Sequence, residues 1–315
     1  MKYIEDFRDG DRVQGIYLCK SKIRATKKSG DPYESIVLQD KTGSIDAKIW
    51  SPDSPGIKTY EVMDYIHITG EIKSYNGTLQ MSLSYVERAE EGEYIPGDYV
   101  PVSKRDSNEM LLELKGYIDS VNNDYLNKLL NLMFSEDQGI LKEFKMHSAA
   151  KTVHHSFMGG LIQHTLSVAR FCDFYCKEFP ILNRDLLITA ALCHDIGKTK
   201  ELSSFPINDY TDEGQLLGHI VMGTIMVSEK IDLIPGFPVK TANELKHCIL
   251  SHHGEYEYGS PKKPAIVEAV ALNFADNTDA KLQTMTEILG SNNAEGDDWL
   301  GYNRLFESNI RKTGK

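Results

Sequence analysis

The chain has 315 residues, long for one compact domain, so two domains are expected. Its 41% apolar content suffices for real cores, and no apolar run is long enough to span a bilayer. A formal charge of −11 argues against indiscriminate binding of polyanions, although a local basic surface on an acidic protein can still meet nucleic acid. The N-terminal MKYIEDFRDGDR lacks the apolar segment of a signal peptide. Cys19, Cys172, Cys176, Cys193 and Cys248 form neither a CxxC pair nor a disulfide-like framework. A cytoplasmic protein with no membrane association is expected.

Residues 11–90 read as strands: 13–19, 35–40, 44–50, 64–72 and 79–86 are short and mostly alternating. Turn signals separate them at Ser29-Gly30-Asp31-Pro32, Lys41-Thr42-Gly43 and Asn76-Gly77. Five strands in about eighty residues suit a small Greek-key barrel of the OB type. The run KSKIRATKK (20–28) holds five Lys or Arg in nine residues, either a nucleic-acid surface or a solvated hairpin. Residues 91–106, rich in Gly, Pro and acidic side chains, read as a linker.

From 107 to 315 the pattern predicts an all-α bundle. Ser107 is a candidate cap for the first helix, and further helical runs occupy 125–134, 160–179, 184–196, 213–231, 244–253 and 263–285. The tail after 285 carries no motif.

Nine of the ten histidines fall after residue 146. His164, His194, His219, His252 and His253, with Asp195 and Asp276, each lie on an apolar helix or near its end, where a bundle can aim them at one point. Imidazole and carboxylate together suit Mn²⁺, Fe²⁺, Co²⁺, Ni²⁺ or Zn²⁺, and the absence of cysteine ligands argues against structural zinc. A carboxylate can bridge two ions, which makes Asp195 the natural bridge in a site clamping phosphate oxygens. Taken singly, each histidine reads as a packed core or surface residue; the joint pattern points to metal. His147, His154, His155 and His247 keep the ordinary reading, with a phosphate contact open to His154 and His155.

The motif order resembles the HD-domain phosphohydrolases. The stretches HDIGKTKEL (194–202), EGQLLGHI (213–220), LSHHGEYEYGSPKKP (250–264) and ALNFADNTDAK (271–281), behind an OB-type barrel, resemble more closely the YhaM-type bacterial 3′→5′ exoribonucleases. The resemblance runs from about residue 10 to 285. It implies that His164, His194, Asp195 and Asp276 hold one divalent ion and that Asp195, His219, His252 and His253 hold a second, with Mn²⁺ the leading candidate.

The activity so implied is 3′→5′ hydrolysis of single-stranded RNA to 5′-mononucleotides by a metal-held hydroxide, with single-stranded DNA a second candidate substrate. Lys198 is the catalytic candidate for phosphate contact beside Asp195, an ordinary helix-end charge being the other reading. Lys262 and Lys263 are candidate strand guides. On the barrel, Tyr17, Tyr33, Trp50 and Tyr75 are candidate stacking platforms, with Lys20, Lys22, Arg24, Lys27 and Lys28 along the phosphate path. For each aromatic the alternative is plain packing, and for Trp50 a place in the barrel core. An HD-type nucleotidase or phosphodiesterase acting on small nucleotides would share the metal site but have little use for the barrel. A cyclic-dinucleotide phosphodiesterase would need a Gly-Tyr-Pro motif that is absent, and a non-catalytic strand binder would be expected to have lost ligands. A homo-oligomer is left open.

Overall fold

The computed structural model describes residues 1–27, 29–75, 78–135, 137, 139–151, 155–291 and 298–314. They divide into two compact units: Met1–Val102 with Ser204–Asn208, and Ser103–Ser203 with Asp209–Lys315.

The first unit is built on five strands, β1 (Arg12–Thr26), β2 (Pro32–Asp40), β3 (Gly43–Ile49), β4 (Tyr65–Tyr75) and β5 (Thr78–Arg88). They close in the order β1-β2-β3-β5-β4, with β3 and β5 parallel and the other pairs antiparallel. That is the OB topology. Closure depends on β1, which pairs with β4 over Arg12–Leu18 and with β2 over Leu18–Thr26, bending at a bulge between Cys19 and Ser21. Alternation puts Ile36, Leu38, Ala47, Ile49, Ile66, Ile68, Ile72 and Met81 into the barrel core. At the Lys41-Thr42-Gly43 turn, the Asp40 carboxylate accepts the backbone N–H groups of Thr42 and Gly43. The Asn76-Gly77 turn lies outside the described residues.

Through Thr26 the basic run at 20–28 is the β1 arm of the β1–β2 hairpin, paired with β2 from Pro32 to Val37. One reading changes. Residues 91–102 belong to the barrel unit instead of spanning a linker. Tyr94 stacks on Tyr65 with ring centroids 3.8 Å apart, and Tyr99 and Val100 are buried. Three aromatic rings outweigh the Gly, Pro and acidic residues around them.

The second unit contains α1 (Ser107–Asp119), α2 (Asp124–Met133), α3 (Leu141–Phe144), α4 (Gly160–Glu178), α5 (Arg184–Cys193), α6 (Lys198–Glu201), α7 (Asp212–Asp232), α8 (Val239–Ser251) and α9 (Val267–Ser291). Asp106, not Ser107, caps α1, its carboxylate accepting the N–H groups of Asn108 and Glu109. Helix α4 packs on α5 and α9, and α5 also meets α8 and α9, around Leu161, Leu166, Leu187, Ala191, Cys248 and Leu272. After these helices a hairpin of β6 (Trp299–Asn303) and β7 (Ser308–Arg311) occupies the stretch in which the sequence carried no motif. Among the described residues no helix is long and apolar enough to cross a membrane.

Candidate metal centre and nucleic-acid surface

Five helices deliver the histidines and aspartates to one place. His164 lies one turn from the start of α4, and His194 and Asp195 directly follow the buried helix α5. His219 sits in α7 at a break where Gly218 takes φ 72° and ψ 156°. His252 and His253 directly follow α8, and Asp276 lies in α9. The break at Gly218 brings the α7 backbone against the turn after Asp195, so that a Cβ at Gly197 would lie 2.0 Å from the His219 carbonyl oxygen. Only glycine fits there.

Each of the five histidines turns its Nδ1 to an oxygen acceptor. His194 Nδ1 donates to the Ala191 carbonyl at 2.8 Å, His252 Nδ1 to Ile249 at 2.7 Å and His253 Nδ1 to Tyr258 at 2.7 Å. His164 Nδ1 meets the Asp279 carboxylate at 2.6 Å and His219 Nδ1 meets Glu201 at 3.0 Å. With Nδ1 spent on these bonds, Nε2 is the nitrogen left to face the centre.

The centre is organised by Asp195. Its Oδ2 lies 3.3 Å from both His164 Nε2 and His194 Nε2, while its Oδ1 lies 3.4 Å from His219 Nε2 and 3.6 Å from His252 Nε2. Asp276 Oδ1 adds a second carboxylate 3.1 Å from His164 Nε2. The ring nitrogens of His164 and His194 approach to 3.2 Å. Asp195 Oδ1, His219 Nε2 and His252 Nε2 are buried without a hydrogen-bond partner among the described residues. Buried polar atoms left so are costly, and three of them converging on one point is the signature of a cation site. His164, His194 and Asp276 form one ligand-competent group, and His219, His252 and His253 form another. The donor set is nitrogen and oxygen only, which fits a divalent transition ion.

The electrostatics agree. Burial alone would raise the Asp195 carboxyl, but Lys198, His194 and the bond from His164 outweigh it and hold the group well below the usual range. Burial lowers His252, and burial first of all lowers His253 to about 4, which favours neutral imidazoles able to ligate. His164 is pushed up despite its burial, because Asp195, Asp276 and Asp279 surround it; the cluster demands positive charge at its middle.

The structure thus brings together the seven side chains singled out from sequence. Lys198 joins them with its Nζ 2.6 Å from Asp195 Oδ2. Three partners were missed: Asp279, Glu201 and His155. Asp279 lies one turn beyond Asp276 on α9, a spacing that could have flagged it. His155 is buried with Nε2 2.9 Å from Asp279, which removes the phosphate contact suggested for it. His154 lies outside the described residues. His247 Nε2 accepts the Ala265 N–H at 2.9 Å, an ordinary structural bond.

On the barrel, Tyr33 and Trp50 stack with centroids 5.4 Å apart, and Trp50 is 45% exposed, not part of the core. Lys27 donates to the Trp50 carbonyl and lies over its ring, and Arg24 pairs with Asp53. Lys20 and Tyr75 are exposed. Tyr17 is no platform: it is wholly buried, its hydroxyl donating to the Lys2 carbonyl. Lys22 is turned onto the Tyr60 ring and donates to the Tyr60 carbonyl. Lys28 lies outside the described residues. In the helical unit Lys262 is exposed, and Lys263 pairs with Glu255 at 2.5 Å.

An OB barrel followed by a helical unit whose histidines and aspartates meet at the end of α5 defines an OB-plus-HD protein, and the HD domain model matches residues 161–281. Two relatives, each described as 3′-5′ exoribonuclease YhaM, are aligned over most of their length. The protein from Listeria monocytogenes serotype 4b (strain CLIP80459) is 34% identical over 291 residues, covering 91% of both chains. That from Bacillus subtilis (strain 168) is 33% identical over 283 residues, covering 89% of this chain and 88% of its own. The chain belongs to the YhaM family. Among solved structures, the second OB-fold domain of replication protein A from Methanococcus maripaludis aligns with 29% of this chain and 96% of its own at 18% identity; its TM-score of 0.24 is too low to bear on the barrel.

Proposed function

We propose that this protein is a metal-dependent 3′→5′ exoribonuclease that removes 5′-mononucleotides from single-stranded RNA. The barrel unit is the strand-binding domain and the helical unit the hydrolase. The observation that carries this reading is the turning of four imidazoles, those of His164, His194, His219 and His252, with Nδ1 bonded outward and Nε2 toward the two oxygens of Asp195. The YhaM relatives supply the substrate class.

In this reading His164, His194, Asp195 and Asp276 hold one ion, and Asp195, His219, His252 and His253 hold the other, with Mn²⁺ the physiological candidate. Such ions, when bound, supply Lewis-acid charge to phosphoryl oxygens and lower the pKa of water. The chain's own residues do the rest. Asp195 stays ionised and presents one oxygen to each half of the centre. Lys198, already paired with Asp195, would meet a non-bridging oxygen of the last phosphodiester, and cleavage of its P–O3′ bond leaves the phosphate on the departing nucleotide. Tyr33 and Trp50 would stack bases sequence-tolerantly, with Lys20, Arg24 and Lys27 beside the phosphates and Lys262 and Lys263 leading toward the centre. Free thiols at all five cysteines accord with a cytoplasmic setting.

The test is Mn²⁺-supplemented protein with 5′-labelled single-stranded RNA, with and without a 3′-phosphate block, beside single-stranded DNA and small nucleotides. Stepwise shortening of unblocked RNA is expected. Hydrolysis of small nucleotides with RNA left intact would sink the exonuclease assignment. Asp195→Ala should reduce hydrolysis to background while RNA binding persists; retained hydrolysis would remove Asp195 from the bridging position.

A further inference from the structure

Glu201, the last residue of α6, is 12% exposed at its side chain and makes two bonds to one residue. Its Oε1 accepts the His219 backbone N–H at 3.0 Å and faces His219 Nδ1 at 3.0 Å. Both follow from the break at Gly218, which takes His219 N–H out of the helical ladder of α7 and would otherwise leave it unpaired. The carboxylate therefore locks the backbone and the ring of His219 together, and the bond at Nδ1 leaves Nε2 bare toward Asp195 Oδ1.

We infer that Glu201 is the positioning residue for the second half of the metal centre, holding His219 in the tautomer and orientation that ligate a divalent cation. This rests on the two-ion reading above. Glu201 touches neither substrate nor the reacting phosphate; it acts through His219. A carboxylate behind a ligating histidine also raises the basicity of the ring, and loss of such a partner typically weakens metal binding about 10–100-fold. The other half of the centre shows the same arrangement, with Asp279 behind His164. A glutamate needed only to cap the broken helix would leave ring tautomer and ion affinity untouched.

The experiment uses the full chain, stripped of metal and titrated with Mn²⁺, with free Mn²⁺ followed by electron paramagnetic resonance. Long-range ¹H–¹⁵N spectra of the metal-free, histidine-labelled protein report the His219 tautomer. In Glu201→Ala the first ion should bind as in wild type, the second about 10–100-fold more weakly, and the His219 ring should lose its Nδ1–H preference. Glu201→Gln, which keeps an acceptor oxygen without the charge, should restore the tautomer and part of the affinity. Two ions in wild type with unchanged affinity in Glu201→Ala would overturn the inference alone. Should the alanine variant not fold, an unchanged second-ion affinity in Glu201→Gln would overturn it, and a weakened one would support it. Uptake of a single ion by wild-type protein would instead overturn the two-ion reading beneath it.

Discussion

Asp279 shows how a residue's meaning is set by what surrounds it. Its Oδ2 takes bonds from His164 at 2.6 Å and His155 at 2.9 Å, and those two histidines hold its carboxyl far below the usual range against the opposing effect of burial. Removing one partner from such a buried, charged cluster costs about 3–5 kcal/mol. Asp279→Ala is therefore expected to lower the unfolding free energy of the helical unit by about that much, read from the urea midpoint at constant slope. A change within experimental scatter would mean that the two imidazoles are satisfied without it. In sequence, Asp279 and Glu201 were two ordinary acidic side chains on helix faces, whereas Asp195 stood out by its histidine neighbour. Histidine clusters are rare enough to read by pattern; carboxylates are not, and the bond that gives these two their role runs to residues 115 and 18 positions away. Both Tyr17 and Trp50 read as candidate platforms, yet Tyr17 is buried while Trp50 is exposed, for a similar reason. Strand alternation says that one face is buried, but the barrel's curvature decides how far each aromatic side chain reaches into it.

At the scale of elements, α1 is tied to α4 by an ion cluster that no local pattern announces. Glu113 receives both Arg170 Nε, at 2.7 Å, and the terminal guanidinium nitrogens of Arg170 and Arg105, at 2.6 and 2.7 Å. Burial opposes ionisation of Glu113, but the two guanidinium groups hold its carboxyl below the ordinary value of 4.5. A depressed carboxyl stabilises the fold fully above its unfolded-state value and loses that contribution as the pH falls through the folded one. With the arginines partly exposed and screened, about 1 kcal/mol is the expected size. Glu113→Gln should then lower stability by that amount at pH 7, and the gap should close as the pH falls below 4.5, as measured by denaturant titration across pH. A gap that widened toward acid would contradict the pairing. Most helices and the five barrel strands were legible from periodicity and turn chemistry, because amphipathic faces must match the core they bury. The short α6 was not, since four residues carry no period. Its place is set by the approach of the α7 backbone to Gly197.

For the molecule as a whole, two compact units make two unfolding transitions the expected calorimetric outcome. A cation at 100 times its dissociation constant adds about 2.7 kcal/mol to the unit that binds it and nothing to the other. Stripping metal with a chelator should therefore lower the transition of the helical unit and leave that of the barrel in place, with Mn²⁺ restoring it. A chelator that moved neither transition would separate the histidine cluster from metal binding. The sequence by itself determined the two fold classes, the order of the motifs and the kind of chemistry, because periodicity, turn residues and a rare concentration of histidines are local or countable properties. Only the tertiary structure decided which nitrogen of each imidazole bonds outward, which oxygen of Asp195 faces which histidines, and that Glu201 and Asp279 stand behind His219 and His164. Those choices depend on contacts between helices far apart in the chain, where a hydrogen bond of about 3 Å exists or fails according to how the cores pack.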